Sequence, residues 1–140
     1  MSMRVTQTAE YALRVLAHMA TLGETRPVRA KDLSKETGIP LHYLSKILRR
    51  LVSRGLLRSQ KGHGGGFVFA RPLHQIRFSD IFDAVDYEIE PSRCVFGWDE
   101  CGEANPCPLH EFWKQVKEHF ADWARQYTLE DVKNNVIQIG

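Results

Sequence analysis

Three cysteines and a histidine in this sequence stand close enough to share one centre. Cys94, Cys101 and Cys107 are spaced C-x6-C-x5-C, and His110 follows Cys107 as C-x2-H, so four soft or borderline donors fall within 17 residues. Thiolate sulfur and imidazole nitrogen bind both zinc and iron–sulfur clusters. Structural zinc sites usually carry tight C-x2-C pairs, which this stretch lacks. The wider, irregular spacing suits a larger cluster, with zinc and three uncoordinated thiols as the alternatives. The cysteine count is odd, and Met1 to Val5 lack the charged-then-apolar pattern of an export signal. A disulfide framework is therefore not expected, and metal or redox chemistry in the cytoplasm is. Cys107 at a helix start with His110 one turn on is also the arrangement of an activated thiol. Nothing around it resembles an oxyanion site or a substrate cleft, so an enzyme is not expected.

A second group of residues is suited to DNA. His42, Tyr43, Ser45, Lys46, Arg49 and Arg50 fall on one side of a single helical stretch. Lys46, Arg49 and Arg50 suit phosphates, and His42, Tyr43 and Ser45, nearer the N-terminal end, suit base edges in the major groove. Lys61 and His63 flank a run of glycines, Gly62 and Gly64 to Gly66, that allows close approach to the backbone or minor groove. That glycine run lacks the following Lys-Ser/Thr of a phosphate-binding P-loop and does not open a helix.

Charge separates the two groups. The chain has 140 residues and a net charge of +2, but residues 1–80 hold 14 Lys and Arg against 5 Asp and Glu, and residues 81–140 hold 5 against 12. A half of +9 is joined to a half of −7. This is the pattern of a basic surface for a polyanion coupled to an acidic part with another role. The apolar fraction of 43% is ordinary for a globular chain, and no stretch approaches a membrane span.

The elements that must position these residues follow from periodicity. Residues 6–22 read as a helix with Tyr11, Val15, Met19 and Leu22 on its apolar face, capped by Thr6 or Thr8 and closed by Gly23. A short helix over 30–37 is anchored by Leu33. Pro40 suits the first position of the next helix, over 41–54, with Leu41, Leu44, Leu48 and Leu51 inward and Ile47 and Val52 in support. Residues 56–58 and 67–69 read as a hairpin around the glycines. A short helix over 79–86 leads into a loop over 87–106. A long helix over 108–127 follows, with Leu109, Phe112, Trp113, Val116, Phe120, Trp123, Ala124 and Tyr127 as one continuous stripe. Thr128 to Asp131 form a capping box, with Asp in place of Glu, for a last helix. The expected fold is mainly α with a small β-hairpin wing: a winged helix-turn-helix domain over 1–78, then a cysteine loop and dimerisation helices over 79–140.

These residues together resemble the IscR and NsrR type of winged-helix repressors, bacterial transcription factors controlled by an iron–sulfur cluster. The resemblance covers essentially the whole chain. It rests on Met3-Arg4-Val5-Thr6 leading into TAEYALR, on GIPLHYLSKILRRL, on KGHGGGFVF, on the three-cysteine loop, and on Tyr127-Thr128-Leu129-Glu130-Asp131-Val132 after the long helix. Some members of the family lack the cysteines, so their presence here favours a cluster. By this resemblance Cys94, Cys101 and Cys107 are its ligands. His110 matches the fourth ligand of a two-iron cluster. Glu10 matches a carboxylate that reaches the partner subunit's four-iron cluster. A 2Fe–2S cluster is the first reading and 4Fe–4S the alternative. The first cysteine spacing is six residues where those two branches typically have five. Lys61 stands where a minor-groove arginine is common. The resemblance implies a cytoplasmic homodimeric regulator, a repressor in the first reading, that binds a near-palindromic operator in double-stranded DNA. Its signal would be redox state, nitric oxide or the supply of iron or clusters. A family regulator answering to zinc or a partner protein is the alternative.

Overall fold

The computed structural model describes residues 6–89 and 110–135. Six helices and one hairpin follow in the order α1 (Gln7–Leu22), α2 (Ala30–Thr37), α3 (Leu41–Ser53), β1 (Leu57–Gln60), β2 (Gly66–Phe69), a 3-10 turn (Leu73–Gln75), α4 (Phe78–Ala84), α5 (His110–Gln126) and α6 (Leu129–Asn135). The class expected from the sequence, mainly helical with a two-stranded wing, is the one observed.

α1 is the central post. The Thr6 hydroxyl accepts from the Ala9 amide at 3.2 Å and caps the helix. Ala9, Ala12, Val15, Leu16, Met19 and Ala20 are buried at 2% exposure or less. Four small or medium side chains on that face let neighbouring helices approach closely. α2 and α3 pack on α1 through Leu33, Leu44, Leu48 and Leu51, all fully buried. Full burial of each such side chain contributes roughly 1.5–3 kcal/mol. Gly38 closes α2 at φ +76, with its N–H donating to the Ser34 carbonyl at 2.9 Å. That left-handed residue turns the chain into α3.

The wing pairs β1 with β2 antiparallel, Leu57 opposite Phe69 and Gln60 opposite Gly66. A third strand position has no counterpart in the residue pattern: Val28 exchanges two backbone hydrogen bonds with Phe67, at 3.0 and 2.8 Å. This pairing explains the glycines. A Cβ on Gly66, at φ +148, would lie 2.6 Å from the Val28 backbone, and one on Gly65 would lie 2.3 Å from the Gln60 carbonyl oxygen.

α4 starts one residue earlier and ends two residues earlier than expected. Asp80 reaches back to the Arg77 N–H at 2.9 Å and fixes the start. Asp86 has φ +56, which no helix continues through. The chain returns to the core through α6. The Asp131 carboxylate accepts from the Thr128 N–H at 2.8 Å, as the capping box requires. The Phe78 N–H donates to the Tyr127 carbonyl and the Leu129 N–H to that of Ile76, seating α6 beside the 3-10 turn and α4.

The apolar stripe of α5 is not one surface but two. Trp113, Ala121 and Ala124 are buried, and Phe120 packs on Phe82 and Tyr87. Phe112, Val116, Trp123 and Tyr127 lie about a quarter turn away and are 70%, 42%, 41% and 41% exposed. Trp123 sits at the edge between them, stacked on Phe78 at 5.0 Å.

Candidate nucleic-acid interface and cluster ligands

α3 begins immediately after Pro40, which stands one place before the helix as its cap rather than inside it. The inner side of α3 is Leu44, Ile47, Leu48 and Leu51, all buried. Leu41 does not join them: it is 45% exposed. Helical periodicity places the centre of the buried arc between Leu44 and Leu51, with Leu41 at its margin. Leu41, His42, Ser45, Lys46 and Arg49 instead line one shallow surface groove of about 630 Å³. His42, Lys46 and Arg49 are exposed and Ser45 is half-buried. Tyr43 is 47% exposed beside this face, its ring 4.4 Å from that of His42.

Arg50 has a different setting. Its guanidinium donates to the Asp86 carboxylate, and Arg54 joins the same acid at 3.1 Å and Asp83 at 3.6 Å. The C-terminal end of α3 is thereby tied to the C-terminal end of α4. Residue spacing does not mark Arg54. Its tertiary partners lie 29 and 32 positions away, beyond the reach of any local pattern.

At the wing tip Lys61 and His63 are exposed. Arg26, Arg29 and Lys35 line a further groove of about 290 Å³ with Gly64, Gly65, Asp32 and Glu36. No local pattern marks these cations, because their position depends on the Val28 bridge.

For the metal site, the structure places two of the five candidates. His110 is the first residue of α5 and only 7% exposed. Glu10 lies on the exposed side of α1, where Arg14 Nη2 donates to it at 2.9 Å. Cys94, Cys101 and Cys107 lie outside the described residues, as does most of the expected loop over 87–106. Among the described residues no three His, Cys, Asp or Glu side chains form a metal-holding group. Three thiols just ahead of His110 are the donor chemistry that an iron–sulfur cluster takes. Just ahead of the cysteine stretch, Tyr87 packs on Phe82 at 5.1 Å, and burial raises its phenol above the usual value of 10.0.

Known proteins resemble the chain in sequence and in fold. A family model, Rrf2, described as an iron-dependent transcriptional regulator, matches residues 5–135. The HTH-type transcriptional regulator IscR of Klebsiella pneumoniae strain 342 is 32% identical over 133 residues, 95% of this chain and 81% of the relative. The IscR of Pectobacterium atrosepticum is 30% identical over 133 residues, 95% and 80%. Among solved structures, CymR, the global cysteine regulator of B. subtilis, superposes with a TM-score of 0.81 at 21% identity, covering 95% of this chain and 98% of the other. IscR of T. potens superposes with a TM-score of 0.76 at 21% identity, covering 99% and 93%. The sequence relatives are transcriptional regulators, not enzymes.

Proposed function

The chain belongs to the Rrf2 family of transcriptional regulators, and from that premise we propose that it reads a near-palindromic operator as a homodimer under the control of an iron–sulfur cluster. The observation that carries the DNA reading is the outer face of α3. There His42, Lys46 and Arg49 stand exposed along one groove while the opposite side of the same helix fills the core. A helix so mounted can enter the major groove with its N-terminal residues on base edges and its cations on phosphates. Lys61 and His63 reach the flanking backbone from the wing. No helix among the described residues is long and apolar enough to cross a membrane; the proposed operator binding would place the protein in the cytoplasm, with the DNA it reads.

Cys94, Cys101 and Cys107 would hold the cluster, completed by His110 if it is 2Fe–2S or by Glu10 of the partner subunit if it is 4Fe–4S. It would supply a centre sensitive to oxidation, nitric oxide or iron supply, and a fourth ligand other than cysteine would make one iron more exchangeable. The remaining steps belong to the polypeptide. The exposed apolar face of α5, with Phe112 and Val116, packs against its copy and sets two α3 helices about one DNA turn, or a small multiple of it, apart. Asp86 lies eight residues before Cys94 and holds Arg50 and Arg54 on α3. A change in ligation would reach α3 through this ion-pair group and would shift the population of DNA-competent dimers.

Protein purified without oxygen tests the cluster reading by its absorption spectrum and its iron and sulfide content. The expected result is iron and sulfide bound together in wild type and neither in Cys94→Ala, with non-specific DNA affinity largely retained in that variant. An unchanged cluster spectrum in Cys94→Ala contradicts the ligand assignment. Zinc without sulfide in the wild type contradicts the cluster and supports the zinc-dependent alternative.

A further inference from the structure

Leu41 is the first residue of α3, and nearly half of it faces solvent although the core begins one turn away at Leu44. It shares one groove with His42, Ser45, Lys46 and Arg49, so the face is apolar at the helix N-terminus and cationic toward the C-terminus. The cations choose the occupant. Two exposed positive side chains on the same arc suit a polyanion, and an apolar protein groove would find nothing to complement them. On DNA, the N-terminal end of a reading helix is the end that meets base edges. The one apolar group that a base pair presents in the major groove is the C5-methyl of thymine.

We infer that Leu41 is a specificity-determining residue that packs on a thymine methyl group in each operator half-site. The inference rests on the DNA reading proposed above and adds a base identity to it. His42 and Ser45 supply polar contacts beside it, and Lys46 and Arg49 fix the register on the phosphates. Burial of one methyl group corresponds to about a four-fold change in affinity.

The full-length chain, purified without oxygen, is used to select an operator from a random duplex pool. Each thymine of the selected half-site is then replaced by deoxyuridine, which removes only the methyl group. The expected result is one position per half-site where the replacement weakens wild-type binding about four-fold. Leu41→Ala should bind the thymine duplex more weakly by a similar factor and show no further loss with deoxyuridine. Leu41→Met should restore most of the sensitivity. Because Leu41 carries no charge, the salt dependence of non-specific binding should be the same in both variants as in the wild type. If no replacement weakens the wild type, or if Leu41→Ala stays equally sensitive, the assignment is overturned while the DNA reading stands. If no sequence is enriched from the pool, sequence-specific DNA reading fails, and the role of Leu41 fails with it.

Discussion

Arg49 and Arg50 are adjacent in the sequence and serve different ends. Arg49 lies exposed in the groove with Lys46, whereas Arg50 is held by Asp86. Lys46→Ala and Arg49→Ala should each weaken binding to every duplex and lower the slope of log K against log salt by about 0.9 for each phosphate no longer neutralised. Arg50→Ala should leave that slope unchanged. A titration over a range of salt concentrations separates the three. Asp86→Asn keeps a side chain that tolerates positive φ and removes the charge that holds both arginines. Exposed ion pairs are weak, so the expected loss of stability is about 0–1 kcal/mol. Its larger effect should be to narrow the difference in operator affinity between cluster-loaded and cluster-free protein. Tyr87 gives a pH test. Burial raises its phenol above 10.0 in the folded chain, so the native state keeps that proton longer than the unfolded state does. Its contribution to stability is complete below pH 10 and is lost as pH rises beyond it. Denaturation profiles of wild type and Tyr87→Phe should therefore diverge only above pH 10.

At the scale of elements, the wing is the most exacting piece. Gly66→Ala puts a Cβ against the Val28 backbone at a φ that side chains rarely adopt. It should destabilise the wing by about 1–3 kcal/mol and weaken operator binding, with little loss of helical circular dichroism. Much of this architecture is legible in residue patterns. The bounds of α2, the Thr6 cap and the Asp131 capping contact all follow from local chemistry, which acts over three or four residues. What the patterns do not show is tertiary. Val28 joins the sheet through one residue, too short a segment to show a period of two. Leu41 shares a heptad-like spacing with Leu44, Leu48 and Leu51, but its position at the margin of the buried arc leaves it 45% exposed. The α5 stripe likewise looks continuous in sequence, and only the packing of Phe120 and Trp123 on α4 divides it into a covered and an exposed face. Of the proposed cluster ligands, the sequence names all and the described fold places only His110 and Glu10.

At the scale of the molecule, two charge-opposed halves share one core. Ala124 and Leu129 from the acidic half belong to the same buried cluster as residues of α1 and α3, and α6 packs on α1. In the proposed complex the negative charge of that half would disfavour its approach to phosphates and leave α3 and the wing as the binding face. The proposed dimer predicts that Phe112→Asp, at a position 70% exposed in the isolated chain, leaves the monomer folded and abolishes the dimer in sedimentation. It should also remove the preference for paired half-sites, because two tethered reading helices bind more tightly than one. Control of DNA reading by a cluster can be measured in one oxygen-free preparation, as its affinity for the selected operator before and after the cluster is removed by chelation. Operator affinity should change tenfold or more, with non-specific binding unchanged. Equal operator affinity in the two states would contradict cluster control.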